Sequence, residues 1–296
     1  MSTVFTNPHT GRIRNGWRAL GWGLLVAVAL LPLGLITSLL GPYGRTMLVG
    51  QLVMIASVLF ATRVSQMADR QPFAAVGLQL GRPWFLHLGA GILLGCAIMA
   101  LGALALRSTG GFRWELRPDG NWRPLLTGFG LFLLVGISEE LTFRGYLFQR
   151  FLEGLGPWGG QLVGGLLFAV VHWGNPGMTN PVQKVWATVN ITLAGILLGL
   201  AYVRTRSLAL PIGIHLGWNW FQGCVLGFAV SGTTDLTGPW GVVVDPRRSP
   251  WFHGGTFGLE ASVFGTGACA VAIVLLYRWR GVSADPSTDA APGGQP

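Results

Sequence analysis

Two glutamates and an arginine sit where a membrane span should be apolar, in the run Gly136-Ile137-Ser138-Glu139-Glu140-Leu141-Thr142-Phe143-Arg144. Residues 125–137 carry no charge, so a helix reaches the acidic pair from inside a bilayer. An ionisable side chain there costs roughly 2.5–3.5 kcal/mol and persists where it lines a cavity or has a partner. Residues four apart share a helix face, so Glu140 and Arg144 can pair. Glu139, about 100° further round the helix, is left without the arginine. That division suits one supporting acid and one working acid.

Three further polar residues fall inside apolar runs: His172, and His215 with Asn219 one turn later. Residues four apart share a helix face, so His215 and Asn219 can project together. Glu139, His172 and His215 are also acceptable zinc ligands with an open fourth position. Taken singly, His172 reads as a packing histidine and His215–Asn219 as an interhelical clamp; co-occurrence on three spans argues for a site. His87 and His253 read as interface or loop residues, and Glu260 as a cap at the start of the last span.

The elements that must position these groups are membrane helices. The chain is 51% hydrophobic and 10% charged, with mean hydropathy +0.52, against about 25% charged in a soluble domain. Apolar runs long enough to cross a core of about 30 Å fall at 17–40, 46–64, 85–106, 122 through the acidic pair, 159–173, 185–203, 208–230 and 256–277. The expected class is all-α, a polytopic membrane helix bundle of about eight transmembrane helices. The first run is too long for a signal-peptide core and reads as a retained span; the alternating pattern of a membrane β-barrel is absent. The segment 69–83 reads as a polar connection with a short interfacial helix, and residues 240–255 as a long outer loop. The domain divisions are a cytoplasmic segment 1–16, a polytopic domain 17–280 and a disordered tail 281–296, rich in Pro, Gly, Ala, Ser and Asp.

If the fourth helix continues to Leu152, Glu139 stands about 13 residues, or ~20 Å, from its inner end. His172 stands equally far from Gly159, the start of an antiparallel fifth span, so the two can meet. His215 is only about 10 Å past Leu208 by the same rise, and Pro211 offers irregular geometry there.

Twelve basic residues fall on one side of this topology, Arg144 among them, and eight on the other, Arg45 among them. That bias places both termini in the cytoplasm, in a multi-pass protein of a bacterial inner (plasma) membrane. The net charge of +9 comes from single residues at helix ends, which excludes a nucleic-acid face and fits contact with anionic membrane lipid. Cys96, Cys224 and Cys269 show no CxxC spacing, so neither a disulfide framework nor a zinc knuckle follows. Glycines four apart (Gly91/Gly95, Gly160/Gly164, Gly195/Gly199, Gly213/Gly217, Gly223/Gly227) let helix backbones approach closely in lipid.

Glu139-Glu140-xxx-Arg144, Phe168-Ala-Val-Val-His172 and His215-Leu-Gly-Trp-Asn219, in that order on separate spans, resemble the three motifs of the CPBP family. These are the CAAX-processing and bacteriocin-processing intramembrane proteases, or abortive-infection-like proteins. The resemblance covers residues 125–225; Gly195–Gly199, 205–208, Pro211-Ile212 and, more loosely, 254–260 resemble the family too. It implies an intramembrane endopeptidase acting on a membrane-associated peptide or lipidated protein. Glu139 would be the general base assisted by His172, His215 and Asn219 the oxyanion pair, and Glu140 with Arg144 the support. The family has also been read as a metalloprotease, which would make Glu139, His172 and His215 metal ligands. HExxH spacing is missing and Asn219 suits an oxyanion better than a metal, so the reading favoured is metal-free, with zinc the alternative cofactor. Two other classes compete. A proton-coupled transporter would show inverted repeats, which the chain lacks; a non-catalytic immunity or scaffold protein would show eroded motifs, and these are intact.

Overall fold

A computed structural model of the chain describes residues 4–8, 10–41, 46–117, 120–178 and 180–279. Arg45, Arg280 and the 281–296 tail lie outside the described residues. The long helices are α1 (Asn15–Leu39), α2 (Met47–Ala68), α3 (Arg82–Ser108), α4 (Arg123–Arg144), α5 (Tyr146–Val171) and α6 (Pro181–Thr205). A shorter α7 (Ala209–Trp220) follows, then a one-turn α8 (Pro250–His253) and α9 (Val263–Arg278). Prolines at the first turn of α3, α4 and α6 start those helices without losing a hydrogen bond. Asn180 caps α6 by accepting from the Val182 and Gln183 amides. The architecture is a polytopic helical bundle.

Among the described residues, five segments are long and apolar enough to cross a membrane, with α4, α5 and the turn after them counted as one 52-residue segment. Two of the eight expected spans depart from the reading. The 208–230 run is helical only to Trp220; a π turn (Phe221–Val225) follows, and Gly227 at φ 80° takes the chain out of the helix. The 256–277 run becomes helical only at Val263, because Gly258 and a 3-10 turn (Leu259–Ala261) precede it. The connection at 69–83 does carry a short 3-10 helix, Phe73–Val76.

The fourth and fifth spans meet differently from the expectation. α4 does not run on to Leu152: it stops at Arg144, and Gly145 has ψ −131°. A Cβ at Gly145 would lie 2.3 Å from the Leu141 carbonyl oxygen, so only glycine makes this break. A second break at Gly156, φ 74°, lies in the left-handed region that favours glycine. It folds α5 into two arms, 146–155 and 157–171; the return arm brings Gly160 against Leu152 and Gly164 against Phe148.

The centre of the bundle is α7, buried from Ala209 to Asn219, as an all-round apolar helix must be. It meets α3 along a glycine seam. A Cβ at Gly91 or Gly95 would lie 2.5 or 2.2 Å from the carbonyl oxygens of Leu210 and Ile214. One at Gly213 or Gly217 would lie 2.2 or 2.1 Å from those of Leu88 and Ile92. A second seam brings Gly195 of α6 against Gly165 of α5. In lipid such close approach is a principal source of helix association.

Residues 240–255 are ordered. β1 (Phe112–Leu116) pairs antiparallel with β2 (Trp240–Val244), Phe112 opposite Val244 and Leu116 opposite Trp240. This two-stranded sheet was absent from the all-α reading; five-residue strands leave too short a pattern to stand out among membrane helices. At the opposite end, Asp69 accepts from Arg18, from the Tyr146 hydroxyl at 2.7 Å and from Arg150 at 3.1 Å, riveting α1, α2 and α5 together.

Candidate active site

The four candidate catalytic residues line one cavity of about 260 Å³. α4 brings Glu139, the turn after α5 brings His172, and α7 brings His215 and Asn219. His172 caps α5 rather than lying within it. The return arm of α5 carries it back from Gly156 to the level of Glu139.

Glu140 is fully buried and does not line the cavity. Its Oε1 accepts from Arg144 at 3.1 Å and faces His215 Nδ1 at 2.7 Å. Arg144, 2% exposed, also donates to the Gly195 carbonyl at 3.1 Å and lies 4.4 Å over the Phe168 ring. Burial removes Arg144 from the inner-face charges used to orient the chain: it is an internal counter-ion, not a topology determinant. A buried pair of this kind is costly to break, about 3–5 kcal/mol when one partner is removed.

Glu139 has the opposite surroundings. Its Oε2 is buried with no hydrogen-bond partner among the described residues. It lies 3.8 Å from the Nε2 of His172 and 3.8 Å from the Nε2 of His215, beyond direct hydrogen bonding. Both rings have their other nitrogen anchored. His172 Nδ1 is 2.6 Å from the Phe168 carbonyl oxygen, which only accepts, so Nδ1 carries the proton. His215 Nδ1 is held by Glu140 in the same way. Each ring therefore presents Nε2 to the carboxylate. Phe168 is packed among them, 4.7 Å from His172 and 6.2 Å from His215 between ring centres.

The donors Glu139, His172 and His215 suit zinc in type, and an anchored second nitrogen is what metal-ligating histidines usually have. Among the described residues, no three His, Cys, Asp or Glu side chains close into a metal-holding cluster. The residues fit zinc in chemistry without being drawn together around it.

Sequence reasoning missed Gln51 and did not foresee the contacts of Glu140 and Glu260. Glu140 binds His215 as well as Arg144, a contact between helices that no spacing on α4 can reveal. Gln51 of α2 lines the cavity and bonds Ser138. Glu260 is no helix cap, because Ser262 caps α9 by accepting from the Gly265 amide; Glu260 is buried and faces the cavity. Its position before a late-starting helix hid it.

Two curated relatives align with parts of the chain. Uncharacterized protein YyaK of Bacillus subtilis is 35% identical over 28% of this chain and 28% of its own length. An uncharacterized 24.3 kDa protein of Escherichia coli is 27% identical over 49% of this chain and 65% of its own length. The chain thus spans less than two thirds of either relative. No solved structure matches it. A family model does, described as type II CAAX prenyl endopeptidase Rce1-like, over residues 121–221. That stretch holds Glu139, Glu140, Arg144, His172, His215 and Asn219, and it is similar to the Rce1-like model of the CPBP family.

Proposed function

We propose that the protein is an intramembrane endopeptidase that hydrolyses a peptide bond of a membrane-associated or lipidated protein or peptide. The observation that carries this is the unpartnered Glu139 Oε2, equidistant at 3.8 Å from two imidazole nitrogens inside a cavity. A polar gap of that width suits a bridging water.

In the proposed reaction a water between these groups gives its proton to Glu139 while its oxygen attacks the scissile carbonyl carbon. His172, with its proton fixed on Nδ1, offers the Nε2 lone pair to the water's second hydrogen and orients it. The carbonyl oxygen becomes an oxyanion that accepts from Asn219 and from His215 Nε2–H, the ring then carrying protons on both nitrogens. Glu139 and Glu140 flank that ring, one at each nitrogen. As the C–N bond breaks, Glu139 returns its proton to the departing amine. Glu140 and Arg144 hold His215 in place and touch no substrate.

Should zinc be bound, Glu139, His172 and His215 would hold it, and it would act as a Lewis acid toward water. The family match supports a peptide or lipidated protein as substrate, and bilayer lipid is the other proposed partner. The bacterial inner membrane with both termini cytoplasmic remains the proposed setting. The test is reconstitution of the purified chain with a peptide library, beside Glu139→Ala. Cleavage by the wild type that disappears in the variant supports the assignment; no cleavage, or equal cleavage, overturns it.

A further inference from the structure

Among the described residues lining the cavity, Glu260 is the acid that the proposed hydrolysis leaves without a task. Its carboxylate is fully engaged. Oε1 accepts from the Ser231 amide and from the Ser231 hydroxyl at 3.1 Å, and Oε2 accepts from the Trp218 indole at 3.1 Å. These partners come from two walls of the cavity. Trp218 is on α7, next to Asn219; Ser231 sits in a reversal closed by pairing of Val230 with Thr233. Ser231 has φ 48°, a left-handed conformation uncommon outside glycine. Accepting both its amide and its hydroxyl is what one carboxylate oxygen can do to hold it there.

The turn has other ties as well. The Gly232 amide donates to the Phe257 carbonyl at 2.9 Å, and Gln222 to the Ala229 carbonyl at 2.6 Å. Gly232 stands beside Ser231 at the tip and Ala229 just before the turn, whereas Glu260 is the tie that spans from the tip to α7. Val230, Ser231 and Thr233 all face the cavity, so the length of this bridge sets how far the turn stands from Asn219.

We infer that Glu260 is a positioning residue that pins the 230–233 turn as a wall of the cavity and so limits the bulk of the substrate side chain admitted beside Asn219. The bulk limit rests on the endopeptidase reading; the wall does not. Glu260→Gln keeps the shape but replaces one acceptor oxygen with an amide that faces donors, and Ser231→Ala removes one donor alone.

The test is amide hydrogen exchange of residues 229–234 in the full chain in detergent, joined to cleavage of peptides that differ in one side chain's bulk. Glu260→Gln should exchange there ~10-fold faster or more, the loss of a charged hydrogen bond, and Ser231→Ala should follow in the same direction. The ratio of kcat/KM for bulky over small side chains should rise by the same ~10-fold, with kcat on the small one within about threefold. Unchanged exchange in both variants overturns the proposal, as does an unchanged ratio accompanied by a fall in kcat. Faster exchange in a protein whose wild type cleaves nothing supports the wall and refutes the endopeptidase reading instead.

Discussion

His215 presents Nδ1 to Glu140 at 2.7 Å and Nε2 toward Glu139 at 3.8 Å, so adjacent residues of α4 hold opposite edges of one imidazole. The helix turns about 100° between neighbours. That rotation sends Glu140 into the packed interior beside Arg144 and leaves Glu139 in the cavity. One acid fixes the ring while the Oε2 of the other has no hydrogen-bond partner among the described residues.

Glu139→Ala should abolish cleavage, by ~10²–10⁴-fold as for loss of a general base, without impairing folding. Its Oε2 bonds to no described residue, so its removal breaks no structural contact. The check is turnover beside the thermal unfolding midpoint in detergent. Activity within a few-fold of wild type would move the base elsewhere.

Arg144→Ala should lower both folded yield and activity, by about 3–5 kcal/mol of stability, because Glu140 becomes an unpaired buried charge. Arg144→Lys should recover only part of this. A single ammonium lacks the planar fork with which Arg144 reaches Glu140 and the Gly195 carbonyl together. Urea or thermal unfolding of purified variants measures both; a fully stable alanine variant would contradict the assignment.

Asn219→Ala should cost ~10²–10³-fold in kcat with KM nearly unchanged, the usual penalty for one oxyanion donor. Asn219→Asp is more telling, since a carboxylate repels an oxyanion yet can serve a metal. It should be nearly inactive in metal-free protein. Metal content of the wild type, together with the effect of a strong chelator, checks the alternative. About one equivalent of zinc and reversible loss on chelation, with zinc-restored Asn219→Asp, would favour the metal-dependent mechanism.

Gly95→Val should prevent correct assembly, since its first added carbon would lie 2.2 Å from the Ile214 carbonyl oxygen, one residue before His215. Gly89→Val, on the same helix where an added Cβ meets nothing within 4 Å, is the control. Monodisperse yield after detergent extraction separates them.

The sequence disclosed which residues to watch, because ionisable groups inside apolar runs announce themselves. It disclosed the Glu140–Arg144 pair, because helix periodicity alone brings residues four apart together. It could not disclose that Glu140 also grips His215, or that Gln51 and Glu260 reach the cavity, because those contacts join distant helices. The breaks at Gly145 and Gly156 were equally hidden among 46 glycines, of which most mark no break. Hydropathy likewise made 208–230 one span, since π turns and short helices are as apolar as long ones. The depth estimate for Glu139 assumed a helix to Leu152 that ends at Arg144; a hairpin in α5, not a long α4, brings His172 alongside.

Phe168 has no ionisable group, yet its ring packs near the guanidinium of Arg144 and the rings of His172 and His215 alike. Arg144 and Glu140 pair in the packed interior, and Glu140 also reaches His215 at 2.7 Å. Glu139 lies in the cavity with its Oε2 unpaired among the described residues. One helix thus carries two adjacent carboxylates in different surroundings, one bonded into the packed interior and one open to the cavity.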